Sequence, residues 1–293
     1  MSTVWFVGVS TGQSLINRAF PLWMADLGRD VRLVGRDLPV GASADQYRTL
    51  VEELRADDNA LGAVITTHKL ALLRAARDLI DELDPLAAEC GEVNVLRRKA
   101  TTIAAYARDP LSTGRVADEI WPSGDQLICL GAGGTAIAVG RHLLSRPVPP
   151  SRLTFADPDP AAGRHLREVL APWAARSGAA LDVVTGPGPW DALVASGPPG
   201  TLVVNATGLG KDRPGSPVTP AVTFPPAAVV WELNYRGDLA FLRHAQTQKT
   251  LVPYDGWSLF CHGWAAALTP VLALPDEPTT ATRFAELAAP LRP

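Results

Sequence analysis

Fourteen residues near the middle of the chain constrain its fold more than any others. The stretch Leu127-Ile-Cys-Leu-Gly-Ala-Gly-Gly-Thr-Ala-Ile-Ala-Val-Gly140 opens as an apolar run and breaks at Gly131-Ala132-Gly133-Gly134. It then continues as helix-forming sequence to Leu144. Strand, tight glycine turn and helix follow in that order, and the turn matches G-x-G-x-x-A with Ala136 in the third position. Each small residue has a physical task. Gly131 permits the turn, Gly133 lets a pyrophosphate approach the backbone, and Ala136 lets helix and strand pack closely. The first N–H groups of the helix and the positive end of its dipole favour an anion there. A second apolar strand, 152–156, ends in Asp157, where a carboxylate can accept from a ribose hydroxyl. The expectation is a dinucleotide bound at the edge of a parallel α/β sheet.

The flanking sequence fits that fold class. Residues 4–9 read as a strand, 10–14 as a polar loop and 15–27 as an amphipathic helix. Ser10 and Ser14 precede this helix and are read either as N-caps or as hydroxyls of a ligand-binding loop. Strands are expected at 31–35 and 61–66, with helices at 44–55 and 70–80. Lys69 then falls at the carboxyl end of a strand, where parallel sheets bind ligands. It also falls in the first turn of a helix, where the dipole disfavours a cation, so a partner or substrate is expected. Arg97-Arg98-Lys99 reads as a solvated basic turn before a strand at 102–106, and Asp109-Pro110 reads as turn chemistry. Further strands are expected at 181–184, 201–207 and 228–234, with helices at 111–121, 161–175 and 239–247.

Composition excludes several classes. Hydrophobic residues make up 47% and charged residues 19%, as in globular domains. The net charge of −3 supplies no basic field for nucleic acid or an anionic membrane. No apolar run approaches the ~20 residues of a membrane span. The amino-terminal stretch lacks the basic and apolar regions of a secretion signal. Cys90, Cys129 and Cys261 are widely spaced, without the pairing of a zinc site or disulfide scaffold. A metal-free cytoplasmic protein, monomer or homodimer, is expected.

Six segments in order resemble the shikimate/quinate dehydrogenase family, over nearly the whole chain. The pattern N-V-T-x-P-x-K looks like Val64-Ile-Thr-Thr-His-Lys69, and A-V-N-T looks like Glu92-Val-Asn94-Val. N-T-D-x-x-G is similar to Ala107-Arg-Asp109, and G-A-G-G-x-x-x-A to Gly131 through Ala138. N-A-T-x-x-G matches Asn205-Ala-Thr-Gly-Leu-Gly210, and D-x-x-Y resembles Glu232-Leu-Asn-Tyr235. The resemblance implies an α/β protein of two domains with a cleft between them. A substrate domain is expected over 1–108, a Rossmann-type doubly wound dinucleotide domain over 109–238, and helices over 239–293 that return to the first. It implies Lys69 and Asp109 as the catalytic pair, with Ser10, Ser14, Thr66, Asn94, Tyr235 and His262 at the substrate. It assigns Gly131, Ala132, Gly133, Gly134, Thr135, Asp157, Asn205, Thr207 and Gly208 to the cofactor. Burial of Lys69 is expected to lower its pKa, with Asp109 partly offsetting the drop.

Two departures bear on specificity. The family's S-x-S-P-x-x-H-N loop appears as Ser10-Thr-Gly-Gln-Ser14-Leu-Ile-Asn17, without proline or histidine. The strand at 152–156 ends in Ala156-Asp157-Pro-Asp159 rather than the basic pattern of NADP users, so NAD is expected over NADP. The implied activity is hydride transfer between nicotinamide and a ring hydroxyl or ketone of a shikimate- or quinate-like carbocyclic acid. The alternatives are a reductase of a different cyclitol or ketone, and a non-catalytic dinucleotide-binding sensor.

Overall fold

The computed structural model describes residues 1–210, 213–275 and 278–293. It divides into two compact units, one of residues 1–109 with 261–292 and one of residues 110–260.

The first unit begins with β1 (Ser2–Gly8), α1 (Ile16–Asp26), β2 (Val31–Asp37), α2 (Ala44–Ala56) and β3 (Ala60–Ile65). It continues with α3 (Lys69–Ala76), β4 (Glu82–Leu83), α4 (Pro85–Cys90), β5 (Val95–Lys99) and β6 (Thr102–Tyr106). Its sheet runs β2-β1-β3-β5-β6-β4. Strand β1 is parallel to both neighbours, whereas β5 is antiparallel to β3 and to β6. Central β1 carries Val4, Trp5, Phe6 and Val7 buried in succession, as a strand covered on both faces requires. Helix α2 starts with a capping box in which Ser43 accepts from the Gln46 N–H while the Gln46 side chain takes the Ser43 N–H.

The basic cluster at 97–99 is not a turn. It lies in β5, and the reversal falls one residue later, where Ala100 adopts φ 54. Arg98 is held inside the fold, its Nε donating to the Arg55 carbonyl at 2.9 Å and its guanidinium pairing with Asp58. A long arginine stem covers apolar surface while its head reaches a partner, so the charge run misleads.

In the second unit, α5 (Asp109–Ile120) leads through β7 (Gln126–Leu130), α6 (Gly134–Leu144), β8 (Arg152–Asp157), α7 (Pro160–Ser177) and β9 (Ala180–Thr185). Then come α8 (Asp191–Ala195), β10 (Leu202–Asn205), β11 (Val229–Glu232), α9 (Ala240–Gln246) and β12 (Val252–Tyr254). The sheet is parallel throughout, in the order β12-β11-β10-β7-β8-β9. Strand order therefore grows from β7 outward through β8 to β9, then restarts on its other side with β10. That reversal makes a crevice at the carboxyl ends of β7 and β10, where doubly wound sheets bind ligands. All four residues of β10 are buried. Helix α9 and strand β12 belong to this unit, although the sequence reading places them with the returning segment.

The chain closes with α10 (Trp257–Leu272) and α11 (Pro278–Ala288), which from residue 261 onward belong to the first unit. Trp23 of α1, wholly buried, stacks on Phe284 of α11 with centroids 4.3 Å apart, and its Nε1 donates to the Phe284 carbonyl at 3.0 Å. Arg283 adds an ion pair to Asp26 at 2.7 Å. The three cysteines, one each in α4, β7 and α10, are unbridged and buried. No helix among the described residues is long and apolar enough to cross a membrane.

Trp23→Ala removes both the stack and the indole hydrogen bond that fasten α11. It is expected to cost about 3–5 kcal/mol in denaturant unfolding. A loss under 1 kcal/mol would mean that the carboxyl-terminal helix is not held by this contact.

Candidate active site

In the second unit, Gly131 leaves β7 with φ 115, a conformation disfavoured for any residue with a side chain. A Cβ there would also lie 2.8 Å from the backbone of Ala206, just beyond β10. Only glycine fits between the two strand ends. Gly133 is the N-cap of α6 and has open space where a side chain would be. As a glycine, the N-cap supplies no side-chain bond to the first N–H groups of this helix. Ala132 and Ala136 are buried, and Gly134 and Thr135 form the first turn of α6. The residues fit a pyrophosphate.

Asp157 ends β8 and is tied to the same turn. One carboxylate oxygen accepts from the Ala132 N–H at 2.8 Å and the other from the Asp159 N–H at 2.8 Å. Each oxygen keeps a second lone pair for another donor. Asn205, wholly buried at the end of β10, accepts from the Thr207 hydroxyl at 2.7 Å and donates to Glu232 at 2.6 Å. It thus shapes the 205–208 turn from within, and Gly208 completes that turn at φ 71.

The first unit assembles a separate cluster of polar groups. Lys69 opens α3, and its ammonium donates to Asp109 Oδ2. Asp109 Oδ1 accepts from Asn94 Nδ2 at 2.6 Å, and Asn94 Oδ1 in turn accepts the Arg108 N–H at 2.7 Å. The backbone of Asn94 is fixed as well, its carbonyl accepting from Ile65 and its N–H donating to Tyr106. Strands β3 and β6 therefore position Asn94, Asn94 positions Asp109, and Asp109 positions Lys69. Asp109 lies in the first turn of a helix rather than in a loop, where the dipole favours a carboxylate.

The expected drop in the Lys69 pKa is overturned. Desolvation pulls it down, but the charges of Asp109 and Glu92 and the hydrogen bond to Asp109 together leave it above the usual lysine value. Lys69 therefore carries its proton at neutral pH. Burial pushes Glu92 up to about 7, against the opposing pull of Lys69. Glu232, wholly buried on β11, is likewise pushed up to about 7 by burial, against its bonds from Asn234 and Asn205.

The remaining residues named from the sequence are placed as follows. Ser10 and Ser14 flank a 3-10 turn at Thr11–Gln13, and neither side chain caps a helix, since α1 begins after Leu15. The capping alternative is thereby excluded. The loop is held instead by Thr11, whose N–H and hydroxyl both donate to Asp37 at 2.9 and 2.5 Å, and by Asn17, which donates to the Thr11 carbonyl at 2.8 Å. Thr66 donates its hydroxyl to the Val7 carbonyl at 3.2 Å. Tyr235 packs against Trp257 and Phe260 in the second unit, and His262 is partly buried on α10 in the first. The sequence reading missed Thr11, His68 and Glu92. His68 is buried between the Tyr47 hydroxyl at 2.9 Å and the Leu38 carbonyl at 3.1 Å. Glu92 had a legible signal, a charged residue where the A-V-N-T pattern has alanine.

Two measurements follow. Gly131→Ala is expected to weaken dinucleotide binding at least tenfold in a fluorescence titration, since backbone at the crevice must shift. For Glu232 the folded pKa lies above the unfolded value, so the folded state binds more protons between about pH 4.5 and 7. Stability is therefore lost as pH rises through that window. Glu232→Gln is expected to flatten the loss in urea unfolding at pH 5, 6, 7 and 8, and an unchanged profile would remove Glu232 as its source.

The chain matches no family model. It is 28% identical over 261 residues to the shikimate dehydrogenase (NADP(+)) of Paramagnetospirillum magneticum, covering 87% of each chain. It is 29% identical over 223 residues to the enzyme of the same name from Symbiobacterium thermophilum, covering 74% of this chain and 73% of that one. Among solved structures it superposes on quinate dehydrogenase from Corynebacterium glutamicum in complex with NAD with a TM-score of 0.77 at 22% identity, covering 99% of each chain. That last likeness is one of fold. The chain is thus similar to shikimate dehydrogenases along most of its length and shares the fold of a quinate dehydrogenase.

Proposed function

We propose that the chain is a nicotinamide-dependent oxidoreductase that moves hydride between its dinucleotide and a ring hydroxyl or ketone of a shikimate- or quinate-like carbocyclic acid. The observation that carries this reading is the bonded set Lys69–Asp109–Asn94, all three residues in the first unit. The second unit supplies the glycine turn and crevice for the cofactor, whose nicotinamide gives or takes the hydride when bound.

The residues divide the remaining work. Reducing a ketone requires a proton at the oxygen as hydride reaches the carbon, and the Lys69 ammonium is the donor. Oxidation runs the same path backward, so Lys69 must first be neutral to take the hydroxyl proton. Near neutrality the ammonium that reduction needs is in place, and the neutral amine that oxidation needs forms as pH rises. Asp109 keeps the ammonium aimed, and Asn94, with one N–H on Asp109, has a second N–H for a substrate hydroxyl. Ser10 and Ser14 on the tethered loop, with Thr66, Tyr235 and His262, complete the proposed substrate contacts.

NAD is proposed over NADP. A carboxylate at the end of β8 accepts from a ribose 2′-hydroxyl and repels a 2′-phosphate. The protein is further proposed to work in the cytoplasm as a monomer or homodimer. A second reading, reduction of another cyclitol or ketone, draws on the altered serine loop, which is tied down by Thr11 and Asp37 instead of carrying the family's proline and histidine.

The test is NADH or NADPH formation at 340 nm with shikimate and quinate, each with NAD and NADP. Turnover with NAD and at least one acid is expected. Lys69→Ala should then lower kcat by roughly 10²–10⁴-fold. Asp157→Ser should shift the ratio of kcat/KM toward NADP by about tenfold, as expected from removing a like charge. Silence with all four pairs, alongside clear NAD binding, would favour the second reading.

A further inference from the structure

Glu92 follows α4, one residue beyond Gly91, and is wholly buried. Both of its carboxyl oxygens are shut off from solvent and neither has a hydrogen-bond donor. Among the described residues it is the one carboxyl group with both oxygens in that condition. The contrast with Glu232 is instructive. That carboxyl, equally buried, takes the Asn205 amide on one oxygen and the Asn234 N–H on the other. A buried carboxyl without donors costs free energy of folding, on the order of several kcal/mol when ionised, unless a nearby opposite charge offsets it.

The offsetting charge is Lys69. The N–H of Val93 donates to the Lys69 carbonyl at 3.3 Å, which ties the backbone just after Glu92 to the first residue of α3. The charged groups acting on Glu92 are Lys69, opening α3, and Asp109, opening α5. Two residues further on, Asn94 holds the other oxygen of Asp109. One short segment thus carries both a buried carboxyl whose charge acts on the cation and an amide bonded to the cation's partner. Lys69 faces two acidic groups, of which only Asp109 bonds to it directly.

We propose that Glu92 is a positioning residue that acts through Lys69, holding it in the ammonium form so that the neutral amine needed to take a proton from an alcohol appears only at higher pH. Glu92 ionises near neutrality, below the range in which Lys69 gives up its proton, so it is an anion when Lys69 titrates. The assignment of Lys69 as acid and base rests on the proposed function, whereas the electrostatic link does not.

The experiment therefore reads Lys69 first without turnover. The full-length protein and its Glu92→Gln variant are labelled with trace acetic anhydride across pH 7–11. Mass spectrometry then follows acetylation at Lys69, with Lys249 as internal reference. Glu92→Gln is expected to lower the midpoint of the Lys69 curve by about one pH unit, the scale of losing one nearby opposite charge. Glu92→Asp is expected to keep most of it. Glu92→Met, of similar size without polar atoms, gives the same reading should the glutamine variant fail to fold. In the oxidation assay the rise of kcat with pH moves down by a matching amount, with KM little changed. An unchanged Lys69 curve in a folded Gln or Met variant overturns the proposal whatever the substrate proves to be. A shifted curve in a protein that turns over none of the ring acids upholds the link and overturns the substrate reading instead.

Discussion

The carboxylate of Asp109 organises the first unit's chemistry. One oxygen receives the Lys69 ammonium and the other the Asn94 amide, so a single group fixes two others. It can do so because it opens α5 just after β6 ends, while Asn94 is pinned by backbone bonds from β3 and β6. A lysine at a helix start is opposed by the dipole, and here the opposition is answered by a carboxylate that a second helix start favours. The ion pair is largely buried, so the attraction is weakly screened. Loss of either partner would leave the other's charge in a poor solvent.

The second unit depends on a steric constraint rather than a charge. Gly131 and the backbone of Ala206 occupy neighbouring strand ends at the point where the sheet reverses its order. A side chain there would push β7 and β10 apart or close the crevice. Asp157 and Asn205 secure the two sides of that crevice, the former through the Ala132 N–H and the latter through Thr207 and Glu232. These carboxyl and amide groups form part of the wall as well as candidates to touch a cofactor.

The parts that were legible in the sequence share a cause. The glycine turn, the long amphipathic helices and the buried strands announce themselves by local chemistry, because spacing and glycine requirements are set within about fifteen residues. The pair Lys69 and Asp109 became legible only through motifs in order, since forty residues separate them. The length of β5 is hidden because Arg97, Arg98 and Lys99 look like a solvated turn, whereas Arg98 finds its partners on and after α2. Strands β4 and β12 span two and three residues, too short for alternation to register. The direction of the Lys69 shift is not legible in the sequence, because nothing local shows that Glu92 is buried where its charge acts on Lys69. Burial alone predicts a fall, and two carboxyl groups reverse it.

The unbridged cysteines have a practical consequence. All three are buried, and burial holds the Cys129 thiol well above its ordinary value and pushes Cys261 up to about 12. Thiol reagents attack the thiolate, so the folded chain is a poor target for oxidants and alkylating agents. Reaction then waits on local opening, and its rate measures how often each region opens. Cys129 reports on the second unit's sheet, while Cys90 and Cys261 report on the first unit. The molecule thus carries a built-in probe of breathing in each of its halves, and no label need be introduced to read it.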